Sequence, residues 1–165
     1  MLSKLMGIMI EEYGQRRLAE HAIKVYAYCA GIGGEEGLCG EEYEVLCAAA
    51  ILHDIGIPRA IELHGSAAGP YQEKEGMLTA PGLMEKAGFG AEAAQKVAWL
   101  VGHHHTHELA KGNRLLQILM EADYLVNLSE GSASLEDARE KALGVRDNFF
   151  VTSAGKRYIN ALFGL

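Results

Sequence analysis

The chain has 165 residues, 49% of them apolar and 22% charged, with a formal net charge of −7. The length suits one compact domain with a real core, and the proportions are ordinary for a globular protein. An acidic chain is not built to coat a nucleic-acid polymer or an anionic membrane, since both need a positive field; a small anionic substrate stays open to it where local cations such as a metal meet the charge.

Residues 1–10 are apolar but run straight into Glu11 and Glu12, with no small-residue cleavage site. They predict a helix packed on the domain, neither a signal peptide nor a membrane span, and the chain is expected in the cytoplasm. Leu18, Ala22, Val25 and Cys29 repeat at helical spacing and predict a helix over 15–30. Gly31-Ile32-Gly33-Gly34-Glu35-Glu36-Gly37 reads as a loop. It follows a helix rather than a strand and lacks a downstream Gly-Lys-Ser/Thr, so it is not a phosphate loop. The next helix is predicted over 41–54. It is apolar on all sides from Val45 to Leu52, the mark of a central buried helix, and Gly56 and Pro58 end it.

A short helix over 59–63, a loop over 65–70 and helices over 71–87, 91–101, 113–129, 135–143 and 155–162 complete the periodicity. Pro81 is expected to kink the 71–87 stretch or to open a segment within it. No repeat, low-complexity tract or Pro- or Ser-rich linker divides the sequence. The expectation is one all-α domain over 1–165, a helical bundle with its core at about 15–130 and the C-terminal helices packed on it. Cys29, Cys39 and Cys47 are an odd set with no C-x-x-C pair, so they read as spare thiols in a reducing compartment.

His53-Asp54 sets two metal-competent side chains at the end of the most apolar helix. Helical neighbours point about 100 degrees apart, yet at a terminus both can bend toward one point. A charged Asp there is costly unless paired, and a metal would pair it; the dipeptide alone is weak, because Asp54 can also lie exposed beyond the helix end. Asp123 projects from a largely apolar helical face, with Leu119 and Met120 one turn before it and Val126 one turn after. A buried carboxylate needs a cation, either an Arg or Lys from another helix or a metal shared with His53 and Asp54. His21 lies beside the Leu18/Val25 stripe, near the core-facing side of the first long helix.

The order is then His, His-Asp, Asp on three separate helices, 32 residues from His21 to His53 and 69 from Asp54 to Asp123. Ala49-Ala50-Ile51-Leu52-His53-Asp54-Ile55-Gly56 and Leu119-Met120-Glu121-Ala122-Asp123-Tyr124-Leu125-Val126-Asn127 are similar to the central helix and the last-Asp helix of one family. The pattern resembles the HD-domain superfamily of metal-dependent phosphohydrolases over about residues 15–130. The resemblance implies a divalent metal on His21, His53, Asp54 and Asp123 and hydrolysis of a phosphoester by a metal-activated water. The substrate class it implies is a nucleotide or another small phosphorylated metabolite. The alternative is a metal- or nucleotide-binding regulatory module of the same fold with little turnover. Two imidazoles and two carboxylates favour Mn, Fe, Co, Ni or Zn over Mg. Asp54 is read as ligand first and base second.

In two-metal members a further His ligand lies near the run Gly102-His103-His104-His105-Thr106-His107, and His103 matches it by its offset from the preceding apolar helix. His104 or His105 would then contact phosphate or donate a proton to a leaving group. Another family His stands four residues before a helix-opening Gly; here that Gly is Gly76 and the matching residue is Gln72, a poor transition-metal ligand. Glu73 and His64 are the remaining candidates for a second metal or a substrate phosphate. The expectation is one tight ion.

Overall fold

Eight consecutive residues with no charged side chain, Val45 to Leu52, can offer no face to water, and the protein is wrapped around them. The computed structural model describes residues 1–165 as ten helices and no strand: α1 (Leu2–Tyr13), α2 (Arg16–Glu35), α3 (Gly40–Leu52), α4 (Ile57–His64), α5 (Gly69–Ala87), α6 (Ala91–Val101), α7 (His107–Ala110), α8 (Arg114–Glu130), α9 (Leu135–Phe149) and α10 (Ser153–Phe163). Every residue from Val45 to Leu52 is buried. Helix α3 touches α1, α2, α6 and α8, so it is lined by neighbours all round. Burial of each large apolar side chain there contributes about 1.5–3 kcal/mol. The all-α expectation is met, and no helix is long and apolar enough to cross a membrane. A continuous set of buried apolar residues runs from Leu5 in α1 to Phe163 in α10.

The glycine run expected as a loop is helical instead. Helix α2 continues through Gly31, Gly33 and Gly34 to Glu35, and the reversal comes at Gly37 and Gly40, which carry φ of 80° and 55°. The glycines serve close approach rather than turning. A Cβ on Gly33 would stand 2.8 Å from Leu46 Cδ2 of α3, and one on Gly31 2.7 Å from the Tyr158 hydroxyl oxygen of α10. Periodicity reasoning treats glycine as punctuation and cannot see a neighbouring helix. Helix α3 also stops two residues short of expectation, at Leu52, so that His53 occupies its C-cap and Asp54 the turn beyond. Pro58 does not end that helix but sits in the first turn of α4, where its missing N–H costs nothing. Pro81 lies inside a single helix, α5, rather than opening a new segment. Helix α9 runs past residue 143 to Phe149.

Helix α8 is fixed at its start by Asn113, whose side chain accepts from the Leu116 N–H at 3.0 Å. It is fixed along its length by Glu121, which is fully buried yet has its charge dispersed: Oε1 accepts from the Val151 and Thr152 amides at 2.6 and 3.0 Å and from Gln117 Nε2 at 2.9 Å. The Thr152 hydroxyl donates to Oε2. This ties the entry of α10 to α8 and holds the face that carries Asp123.

The turn after Asp54 is held by backbone-to-backbone packing. A Cβ on Gly56 would overlap the Gln72 carbonyl oxygen and the Gly76 amide nitrogen of α5. Neither atom can rotate away, so Gly56→Ala must push α5 off the His53–Asp54 turn. Overpacking of this kind costs about 1–3 kcal/mol. Denaturant unfolding of G56A should show a loss in that range or above it; a midpoint equal to wild type would contradict the close approach.

Candidate metal centre

Three helices and one turn deliver the polar groups. His21 comes from α2, His53 from the C-cap of α3, Asp54 from the next residue, and Asp123 from the middle of α8. The carboxylates of Asp54 and Asp123 both come up to the paired Nε2 atoms of His21 and His53. His21 Nε2 is 3.2 Å from His53 Nε2, 3.1 Å from Asp123 Oδ1 and 3.7 Å from Asp54 Oδ2. His53 Nε2 is 3.4 Å from Asp54 Oδ2 and 3.6 Å from Asp123 Oδ1. Ligands about 2.1 Å from one ion stand about 3 Å apart when adjacent, so these separations fit a single cation. Asp54 faces two ways: its Oδ1 lies 3.5 Å from His104 Nε2. His21, His53 and Asp54 form one group of donors able to hold an ion, and Asp54, His104 and His105 form another.

The outer nitrogens explain why the inner ones are available. His53 Nδ1 lies 2.9 Å from the Ala50 carbonyl, His104 Nδ1 2.7 Å from the Val101 carbonyl and His21 Nδ1 3.1 Å from Glu130 Oε2. An imidazole that donates its Nδ1–H to an acceptor presents a lone pair at Nε2, the arrangement that metal-ligating histidines require. His104 Nε2 and Gln72 Oε1 are buried and have no hydrogen-bond partner.

Neither carboxylate meets a Lys or Arg; Asp54, largely covered, and Asp123, buried, are paired only with imidazoles. Without a metal the balance therefore falls on imidazole protonation. Burial works to lower the His53 pKa, but the Asp54 charge, the hydrogen bond to Asp123 and its charge overcome it and push it up to about 9. Burial and the repulsion from His53 oppose the rise of His21 as well, and the Asp123 hydrogen bond with the charges of Asp123 and Asp54 together outweighs them. For Asp123 burial would raise the pKa, yet the hydrogen bonds from His21 and His53 hold it well below the usual carboxylate range. Asp54 is lowered against its own burial by the His53 charge and by His104.

Several residues marked in the sequence lie elsewhere. His103 does not turn inward: its ring stacks on Trp99 at 4.6 Å and its Nδ1 bonds the Trp99 carbonyl at 2.7 Å. The position beside Asp54 falls to His104, one residue on, because α6 stops at Val101 and the turn after it rotates His104 and His105 toward the site. Glu73 is committed to the His105 N–H at 2.8 Å and so holds that turn. His64 pairs with Glu75 at 3.0 Å and stacks on Tyr71, outside the cluster. Gln72 reaches His105 through its amide nitrogen. Glu121, two residues from Asp123, serves the α10 anchor alone.

Two neighbours went unmarked. Tyr13 of α1 is buried with its hydroxyl unpartnered; burial, then the charges of Asp54 and Asp123, push its phenol upward. The other is Glu130, behind His21. Nothing in the local text distinguishes either, since each depends on where a distant helix comes to lie. A mostly apolar hollow of about 330 Å³, lined by Val45, Lys96, Trp99 and Leu100, includes no cluster residue.

Comparison with protein families matches residues 18–128 to the HD domain. That is most of the chain and contains all four converging residues: the chain belongs to the HD-domain family, and its His/Asp cluster could hold a divalent metal. No curated protein and no solved structure matches.

The shifted groups set a pH dependence. The folded His53 pKa lies above the free value of about 6.5, so its stabilising pairing is fully present below about pH 6.5 and is lost as pH rises through about 9. The depressed carboxylates contribute above about pH 3.9 and lose that contribution as pH falls. A metal must displace the imidazole protons. Calorimetry at neutral pH, in buffers of differing protonation enthalpy, should show release of about one proton or more per ion, and affinity rising toward about pH 9. Binding without proton release, at an affinity flat from neutral pH to about 9, would contradict the pairing.

Proposed function

Starting from HD-domain membership, we propose that the chain is a metal-dependent phosphohydrolase acting on a small phosphorylated metabolite, nucleotides included. The observation that carries the reading is that His21 Nε2 and His53 Nε2, 3.2 Å apart, each lie 3.1–3.7 Å from a carboxylate oxygen of both Asp54 and Asp123, with no Lys or Arg to balance the charge. His21, His53, Asp54 and Asp123 would hold the ion. Their mixed nitrogen–oxygen donor set favours Mn, Fe, Co, Ni or Zn over Mg. A divalent ion there supplies Lewis acidity toward a phosphoryl oxygen and activation of water.

The protein's own groups divide the rest of the work. Asp54 Oδ2 faces His21 and His53, while Oδ1 faces His104 and is placed to take the proton of the attacking water. Water adds to phosphorus as the ester P–O bond breaks, and His104, when protonated, returns a proton to the leaving oxygen. The Nδ1 bond to Val101 keeps that ring oriented through the step. His105 is the exposed member of the group and marks the side from which substrate enters. The second-metal position expected of His103 falls to His104, which lies beside Asp54. Cys29, Cys39 and Cys47 are all free, which supports the expected cytoplasmic setting, and the continuity of the core from α1 to α10 supports a single domain.

Asp54→Ala and His53→Ala should each abolish tight metal binding, with losses above the ten- to hundredfold typical of outer-shell changes. They should remove turnover with it. Elemental analysis and a panel of phosphomonoesters, nucleotides and cyclic nucleotides, run with chelator and with Mn, Co or Ni restored, check both. Full occupancy and normal turnover in D54A would sink the assignment. If fully metallated wild type turns over nothing in the panel, the regulatory-module reading takes its place.

The second group, Asp54, His104 and His105, has Gln72 beside it rather than another imidazole. An amide oxygen is a weak ligand for borderline ions. Calorimetric stoichiometry should give about one tight ion in wild type and a gain in affinity for a second in Gln72→His. Two equally tight ions in wild type would contradict a single-ion site.

A further inference from the structure

Among the three inward-turned imidazoles, His21 is held differently. His53 and His104 give their Nδ1–H to backbone carbonyls of the turn before them. His21 gives its own to a carboxylate, Glu130 Oε2, at 3.1 Å. The other oxygen of Glu130 accepts from Lys24 Nζ at 2.8 Å. His21 and Lys24 lie three residues apart on one face of α2, so a single carboxylate bridges both donors.

Glu130 does not sit where helix electrostatics would place an anion. It is the last residue of α8, at the negative end of the helix dipole, where a carboxylate is disfavoured. It also lies beyond the segment matched to the family, which ends at residue 128. Its side chain is 22% exposed, against 54% for Lys24, so it is drawn in toward His21. A carboxylate on the outer nitrogen of a ligating histidine fixes the ring and its tautomer and raises the donor strength of the inner nitrogen more than a neutral carbonyl does.

We infer that Glu130 is a positioning residue of the metal centre, locking His21 as the Nδ1–H tautomer and making it the strongest nitrogen donor of the set, with Lys24 holding the carboxylate in place. This rests on the metal reading of the cluster. It gives His21, which comes from the second turn of a long helix rather than from a helix end, an anchor for its outer nitrogen like those of the two turn-borne histidines.

The test uses the full chain and Mn²⁺ alone. Calorimetry on wild type, Glu130→Ala and Glu130→Gln gives the affinities, two-bond ¹H–¹⁵N spectra of the metal-free imidazoles, recorded at a pH high enough for the His21 ring to be neutral, give its tautomer, and melting of the metal-free variants controls for folding. E130A should bind Mn²⁺ about ten- to hundredfold more weakly and show His21 as a mixture of tautomers. E130Q, which keeps an acceptor oxygen but no charge, should fall between the two. Wild-type affinity and an unchanged tautomer in E130A overturn the inference while leaving the metal centre standing. Should E130A fail to fold, wild-type affinity in E130Q overturns it. If wild type itself binds neither Mn²⁺ nor any other divalent ion, the metal reading fails first and this inference with it.

Discussion

Two carboxylates stand inside this protein with no lysine or arginine to answer them. Asp54 and Asp123 each lie against His21 and His53, and the only positive charge within reach is what the imidazoles can acquire by binding protons. Desolvated acids of this kind are costly unless paired. The helices around them are arranged to bring the imidazoles close: α3 ends where His53 can cap it, the next residue turns Asp54 back, and α2 and α8 pack together so that His21 meets Asp123. A site that spends protons to stay neutral is also one in which a divalent cation can replace them, and this couples the electrostatics to the chemistry.

Helix α8 shows the contrast within a single turn. Glu121 and Asp123 are both buried, and both need their charge met. Glu121 is met by backbone amides, a hydroxyl and an amide side chain, which consume its acceptor capacity in anchoring α10. Asp123 is met by imidazoles alone, whose lone pairs and protons are exchangeable. The first arrangement is a structural joint with nothing left over. The second leaves donor atoms facing one another, and unpartnered buried atoms on His104 and Gln72 border it.

What the sequence made legible follows the same division. The apolar run of α3 predicted a central helix because no other placement could bury it, and the carboxylate on the apolar face of α8 announced its need for a cation. The residues that converge were readable from those two facts and the family-like order of His21, His53, Asp54 and Asp123. Contacts set by packing between distant helices were not readable. Gly31 and Gly33 look like a turn until Tyr158 and Leu46 are seen pressed against them. His104 rather than His103 faces Asp54 because α6 ends at Val101, a boundary that periodicity fixes only to within a residue or two. Glu130 and Tyr13 carry no local signal at all, since their part depends on α8 reaching past α2 and on α1 folding over the Asp54 turn.

The central claim is that one divalent ion belongs among these four side chains. Anomalous diffraction from crystals grown with Mn²⁺ or Co²⁺ tests it most directly. The account predicts a strong peak enclosed by His21 Nε2, His53 Nε2 and the carboxylates of Asp54 and Asp123. A peak confined to the exposed histidines, or none at the cluster at saturating metal, would contradict it.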